Sequence, residues 1–321
     1  MISLCMIVRN EESNLPRVLG SVLGLADESV VVDTGSTDRS VEVAKSLGAR
    51  VEFFEWIDDF SAARNHALSM ARGDWIMVLD ADDEFEREDI APARRLLGST
   101  SAHCLTGEQT LLFSDKAPFS KRQILFVRNG LGYRYVFRVH EMVAVKADLM
   151  QHTPLRLRHF GYMREYLPAK WGRDRRLLEM MKGDPRPLDR AAAAFYLGRL
   201  FENERRREEA RAQYADAAHS EVKCPFRVYA ALGLARLSAE MGDSSSARSV
   251  YEAVLECNPR TLEAELGLAD LCLGQDLDGE ALRHFRAALA TDRRIVPCAN
   301  DLWERQARRR LWRLAGSEGS P

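Results

Sequence analysis

An α/β domain followed by an all-α repeat domain is the architecture this sequence predicts, on three observations. Short apolar runs of strand length alternate with segments of helical periodicity through the first 80 or so residues. Strand character then disappears from about residue 175, where alanine, leucine and arginine dominate. Within that second stretch, small and aromatic residues recur at a near-constant interval, the signature of a helical repeat.

The elements follow in order. Residues 2–8 are a continuous apolar run, and Leu15, Val18, Leu19, Val22 and Leu23 then repeat at helical spacing. Residues 29–32 form a second apolar strand ending in Asp33, and Gly35-Ser36-Thr37 turns the chain into a helix marked by Val41, Ala44 and Leu47. Gly48 stands where a C-terminal cap is expected. Residues 51–54 make a third strand, residues 62–71 a third helix closed by Gly73, and residues 75–79 a fourth strand. Such alternation predicts a mostly parallel sheet covered on both faces, with ligands beyond the carboxyl ends of its strands. The polar residues at those ends are Arg9, Asn10 and Glu11, then Asp33, then Asp80, Asp82 and Asp83.

Composition narrows the classes of function. The chain has 321 residues, enough for two cores, with 46% hydrophobic and 29% charged residues, as in an ordinary soluble protein. A formal net charge of -2 gives no global field for a nucleic acid polymer. The six cysteines are scattered without a CxxC pair, which fits reduced, packed thiols. Arg9, Glu11 and Glu12 follow directly on the first apolar run, and no stretch approaches the roughly 18–20 apolar residues of a span. A cytoplasmic protein with no transmembrane segment is therefore the expectation.

The sharpest local signal is the strand WIMVL running into DADD. Carboxylates held at a rigid strand end are oxygen ligands suited to Mg²⁺ or Mn²⁺, with a diphosphate completing the shell. Alone, the cluster fits a solvated turn equally well. Its context is more specific: ISLCMIVRNEE, VVVDTGSTDRS, DDFSAARNHAL and GDWIMVLDADDE follow one another across about 85 residues. These four blocks in this order resemble glycosyltransferase family 2, whose members have the Rossmann-like GT-A fold.

The resemblance implies a metal-dependent, inverting transferase that takes a nucleotide-sugar donor, most often a UDP-sugar. Val8, Asn10, Glu11 and Asp33 match positions that meet the base, and Asp33 also suits the turn before Gly35. Arg64 matches a residue near the base or diphosphate. Asp80 matches the ribose ligand and Asp82 the metal ligand, with Asp83 behind them. Further on, VRNGLGYRYVFRVHEM and LRLRHFGY resemble a subgroup with an RN…HE…HxGY pattern. It implies Glu141 as the base that takes the acceptor proton, His140 as an orienting residue, and His159 as a late ligand to metal or diphosphate. Many family members carry an acidic ED pair where this chain has HE. Arg128, Arg134 and Arg138 are candidates to offset diphosphate charge or to decorate strand faces.

In the second half, Leu197-Gly198, Leu234-Ala235 and Leu268-Ala269 occupy equivalent positions. Ala210, Ala247 and Ala281 follow 13 residues after each leucine, then Tyr214, Tyr251 and Phe285, then Ala217, Val254 and Ala288. The pattern resembles the tetratricopeptide repeat, a helical pair of about 34 residues, although 37 residues separate Leu197 from Leu234. The expected division is a GT-A domain over 1–170, a linking helix over 171–187 and repeats over 188–321. The repeats suit an extended peptide, a protein partner or a homodimer. Residues 299–314, with Trp303, Leu311 and Trp312 among arginines, either cap the last repeat or touch the inner face of a membrane. Acceptors implied by the resemblance are a glycan, a lipid-linked precursor or a peptide, including a cysteine side chain. A scaffold that works only through its repeats, and a nucleotidyltransferase, are the competing classes. The first has no use for Asp33, Asp80, Asp82, Glu141 and His159. The second normally has a Gly-rich phosphate loop where this chain has VRNEE.

Overall fold

A computed structural model describes residues 1–114, 117–162, 167–259 and 261–290. The chain divides into two compact units, Met1–Leu177 and Leu178–Pro321.

The first unit opens as the sequence predicts: β1 (Ile2–Val8), α1 (Leu15–Ser21), β2 (Glu28–Asp33), α2 (Ser40–Ser46), β3 (Arg50–Phe53), α3 (Phe60–Ser69) and β4 (Trp75–Val78). Strands β3, β2, β1 and β4 lie side by side and parallel. Alternate residues of β1 serve opposite faces. Leu4, Met6 and Val8 pack with Leu15, Val18 and Leu19 of α1, whereas Cys5 joins Val30, Val32 and Ala67 of α3. Both faces of β1, β2 and β4 are covered, which is why these strands read as apolar runs.

The remainder of the sheet corrects the expectation of a mostly parallel one. After β5 (Asp83–Phe85) and α4 (Ile90–Ser99) come β6 (Cys104–Phe113) and β7 (Phe119–Arg128), which pair antiparallel. No crossover helix separates them, so an antiparallel pairing is the one available. Strand β7 inserts antiparallel against β4, and β10 (Met150–Tyr162) runs parallel to β6 and antiparallel to β5. The eight strands lie in the order β3-β2-β1-β4-β7-β6-β10-β5, and β8 (Tyr135–Val136) and β9 (Met142–Val143) form a separate two-stranded sheet. This is a GT-A-like mixed sheet.

Helix α5 (Leu167–Lys182) leads to six helices that form the expected repeat pairs. They are α6 (Pro187–Asn203) with α7 (Arg207–Ala218), α8 (Pro225–Glu240) with α9 (Ser244–Cys257), and α10 (Leu262–Leu273) with α11 (Asp278–Leu289). The aligned residues Ala210, Ala247, Ala281, Tyr214, Tyr251 and Phe285 are all buried. The three extra residues of the first unit lie at the start of α8, where Leu234 is the tenth residue of its helix and Leu268 the seventh of α10. Residues 299–314 lie outside the described residues, so the capping and membrane expectations attached to them do too.

Glycines let the Tyr214 and Tyr251 rings reach the next pair. The Tyr214 ring lies against Gly198 and Gly233, and a Cβ on Gly267 would stand 2.2 Å from Tyr251 Cζ. Gly267→Ala therefore overpacks a buried ring, and is expected to cost the helical unit about 1–3 kcal/mol. Urea unfolding followed by helical circular dichroism measures it, and an unchanged midpoint contradicts this packing account.

Candidate active site

Two loops at the carboxyl edge of the parallel strands are laced together. Asn10, in the left-handed region at φ 59°, accepts the Thr37 N–H on its side-chain oxygen at 2.8 Å, and its own N–H donates to Ser36 Oγ. The Glu11 N–H donates to Ser40 Oγ at 2.7 Å, and Glu12 exchanges bonds with Asp38 and the Arg39 N–H. The Val8 carbonyl accepts from both the N–H and the hydroxyl of Thr34. VRNEE and TGSTDRS are thus a single folded unit, and Val8 and Asn10 hold its shape. The Glu11 carboxyl is pushed up by burial, against the bond from Asn14 and with the negative charge of Asp80 nearby.

Asp33 sits at the end of β2, where its Oδ1 accepts the N–H groups of Gly35 and Ser36 at 2.9 and 3.0 Å. The turn-forming role is therefore real. Its Oδ2 is buried without a hydrogen-bond partner among the described residues. A buried acceptor in that condition is costly unless a donor arrives from outside the chain.

Two strands away, DADD closes on itself. The Asp80 N–H donates to Asp83 Oδ2 at 2.9 Å, and the Asp83 N–H returns to the Asp80 carbonyl. His159 reaches this turn because β10 pairs with β5 in a register that sets His159 directly opposite Asp83. Its Nδ1–H donates to Asp83 Oδ1 at 2.8 Å and lies 3.4 Å from Asp82 Oδ1. Gln109 of β6 also donates to Asp83 Oδ1, so Asp83 orients the imidazole from behind. A Cβ on Gly161 would meet Asp82 Oδ2 at 2.1 Å and His159 Nε2 at 2.7 Å, so these two atoms approach a common point that glycine keeps open. Ligand atoms of Asp80, Asp83 and His159 also lie within 4.8 Å of one another.

Charge is unevenly shared here. Burial alone would raise the Asp80 carboxyl, but Arg64 and His159 hold it down at about 2. Burial pushes Asp82 up to about 6, opposed by His159 and reinforced by Asp80 and Asp83. His159 is disfavoured as a cation by burial, yet its bond to Asp83 and the charges of Asp82, Asp83 and Asp80 raise it above the ordinary histidine value.

Arg64 of α3 bridges two carboxylates, with Nη2 2.5 Å from Asp80 Oδ1 and Nε 2.6 Å from Glu141 Oε1. Glu141 is raised by burial, against the pull of Arg64. His140, beside it, is exposed with a left-handed backbone at φ 54°. The structure thus gathers Asp80, Asp82, His159, Arg64 and Glu141, with Asp33 at the same strand edge. Arg128 is elsewhere: it faces Trp75 at the opposite end of β4 and donates to the Thr100 and Ala102 carbonyls. It staples the sheet and does not serve the site. Gln109 was not foreseen from the sequence, since it is one of four polar residues in β6, with Thr106, Glu108 and Thr110, and no pattern marks it.

Residues 3–155 match the model of glycosyl transferase family 2. The N-terminal unit is a family 2 glycosyltransferase domain. Over 180 residues the chain is 39% identical to a TPR repeat-containing protein of Synechococcus elongatus, covering 53% of this chain and 44% of that one. An uncharacterized glycosyltransferase of Rickettsia typhi is 40% identical over 87 residues, 27% of this chain and 30% of that one. The chain thus spans less than half the length of these curated relatives. Among solved structures, S. aureus TarS 1-349 in complex with UDP aligns at 14% identity and a TM-score of 0.43, over 88% of this chain and 90% of that one. No helix among the described residues is long and apolar enough to cross a membrane.

Proposed function

We propose that this protein transfers a sugar from a UDP-sugar, with inversion and with a divalent metal, to a hydroxyl or thiol of a glycan, lipid-linked or peptide acceptor. The observation that carries the reading is the meeting of DADD with His159, 76 residues later in the chain, at the strand edge that also bears Asp33. Asp33 Oδ2, a buried acceptor awaiting a donor, suits the imide N–H of uracil. Asp80 faces the ribose, and Arg64 stands between it and Glu141.

Asp82 and His159 are the residues that would hold Mn²⁺ or Mg²⁺, as the shared approach of their side chains to Gly161 supports. A divalent ion there supplies positive charge for the departing diphosphate. Glu141, its affinity for a proton raised by burial, takes the acceptor's proton as the acceptor oxygen or sulfur bonds to C1 and the bond from C1 to the diphosphate breaks. Arg64 keeps Glu141 and Asp80 charged and apart until that transfer.

Thermal unfolding with a panel of nucleoside diphosphates and Mn²⁺ tests the donor. UDP with Mn²⁺ is expected to stabilise by about 2.7 kcal/mol at a hundredfold excess over Kd. Because Asp82 and His159 both hold protons more tightly than usual, metal competes with protons. The shift is expected to grow as pH rises from 5.5 to 8. A larger shift with another base reassigns the donor, and no shift with any nucleotide at pH 8 removes the transferase reading.

A further inference from the structure

Glu141 lies on the five-residue loop, 137–141, that joins β8 to β9. Tyr135 pairs with Val143 and Val136 with Met142, and β8 and β9 pair only with each other among the described strands. An isolated two-stranded hairpin is marginal in water. Its loop is also strained, with Phe137 at φ 75° and His140 at φ 54°. A buried aromatic residue in the left-handed region persists only where its surroundings enforce it.

Helix α3 provides that enforcement. Asn65 Oδ1 accepts the Tyr135 N–H at 2.8 Å, and Asn65 Nδ2 donates to the Tyr135 carbonyl at 3.0 Å. One side-chain amide thus completes the open edge of β8 as a neighbouring strand would. Four residues earlier, the Ser61 hydroxyl donates to the carbonyl of strained Phe137, and the Phe60 N–H donates to the Arg138 carbonyl at 2.9 Å. Arg64, between these anchors, takes the Glu141 carboxylate.

We propose that Ser61 and Asn65 are positioning residues for Glu141: they clamp the β8–β9 hairpin and its left-handed loop onto α3, so that the carboxylate projects back toward Asp80. The proposal rests on the transferase reading for its catalytic consequence, but the clamp itself can be observed without turnover.

Asn65→Ala and Ser61→Ala separate the two. Asn129→Ala is the control, because Asn129 likewise donates to backbone carbonyls, those of Ala71 and Gly73, at the far end of the sheet. Amide hydrogen exchange over residues 135–143 is expected to quicken in both clamp variants and not in the control. In UDP release from whichever UDP-sugar the native protein turns over fastest, kcat is expected to fall about 10²-fold while donor KM stays within about threefold. The control loses melting temperature but keeps kcat. Exchange unchanged at Tyr135 in Asn65→Ala overturns the clamp, as does a kcat that the clamp variants leave intact. A parallel loss of donor binding overturns it too, since α3 as a whole is then disturbed. If the native protein releases no UDP from any donor, the transferase reading fails, and the exchange result alone decides the clamp.

Discussion

Asp82→Asn is expected to abolish Mn²⁺-dependent stabilisation by UDP and to lower sugar transfer on the order of 10³-fold, while making the metal-free protein more stable. The last effect follows from crowding. Asp82 shares its turn with Asp80 and Asp83, and burial with their charge raises its carboxyl to about 6. A group whose folded-state pKa is raised contributes stability below its unfolded value and loses it as pH rises through the folded value. The asparagine variant therefore gains on the native protein as pH climbs from 3.8 to about 6, and the gap is full above that. An increment of about 1–2 kcal/mol, or roughly 2–8 °C in melting temperature, is expected at pH 8. Melting curves at pH 4 and pH 8, with and without metal, measure all three. A variant less stable than the native protein at pH 8 without metal would show that Asp82 is a structural residue.

Arg64→Ala is expected to be the most damaging single change to stability in the first unit. It strips the shared cation from Glu141, whose side chain is 12% exposed, and from Asp80. Leaving a buried charge without its partner costs about 3–5 kcal/mol, roughly 6–20 °C in melting temperature, toward the lower end here because Asp80 reaches water. The loss is pH-dependent in a definite direction. With Arg64 gone, both carboxyls hold protons more tightly in the folded state, so stability recovers as pH falls toward 5 and worsens as it rises. Adding Glu141→Gln to Arg64→Met removes the uncompensated charge and is expected to restore most of the melting temperature. Turnover stays lost, because the proposed proton acceptor is absent. If Arg64→Ala melts like the native protein at pH 8, the bridge is not a buried pair.

Strands β1, β2 and β4 were legible because their central residues are buried on both faces and they are bounded by turn residues, so the apolar runs and the strands coincide: residues 2–8 are β1 to the residue. Strand β3, at the sheet edge and only half-buried, was legible from its place between two helices. The helical repeats were legible because Ala210, Ala247 and Ala281, with their aromatic followers, face a neighbour at a fixed interval. The mixed half of the sheet was not. Whether β7 inserts beside β4 depends on which edge is open, a property of the whole sheet and not of residues 119–128. The same limit applied to the site. DADD and HxGY were visible as fragments, but the register that sets His159 against Asp83 joins residues 76 apart. Of the two roles open to Arg128, the sheet selects the strand-face one: the RN pair adjoins a motif in sequence but lies at the opposite end of its strand.

That register also has a temporal consequence. Asp80, Asp82 and Asp83 are in place once the fourth strand and its turn are made, but His159 arrives only with the last long strand, after β6 and β7 have paired. On a growing chain, the centre that would hold metal is therefore incomplete until residues beyond 162 have left the ribosome. Long-range pairing of this kind is slow to form, so the aspartates wait together as mutually repelling neighbours. Water and salt, not the imidazole, are what screen them in that interval.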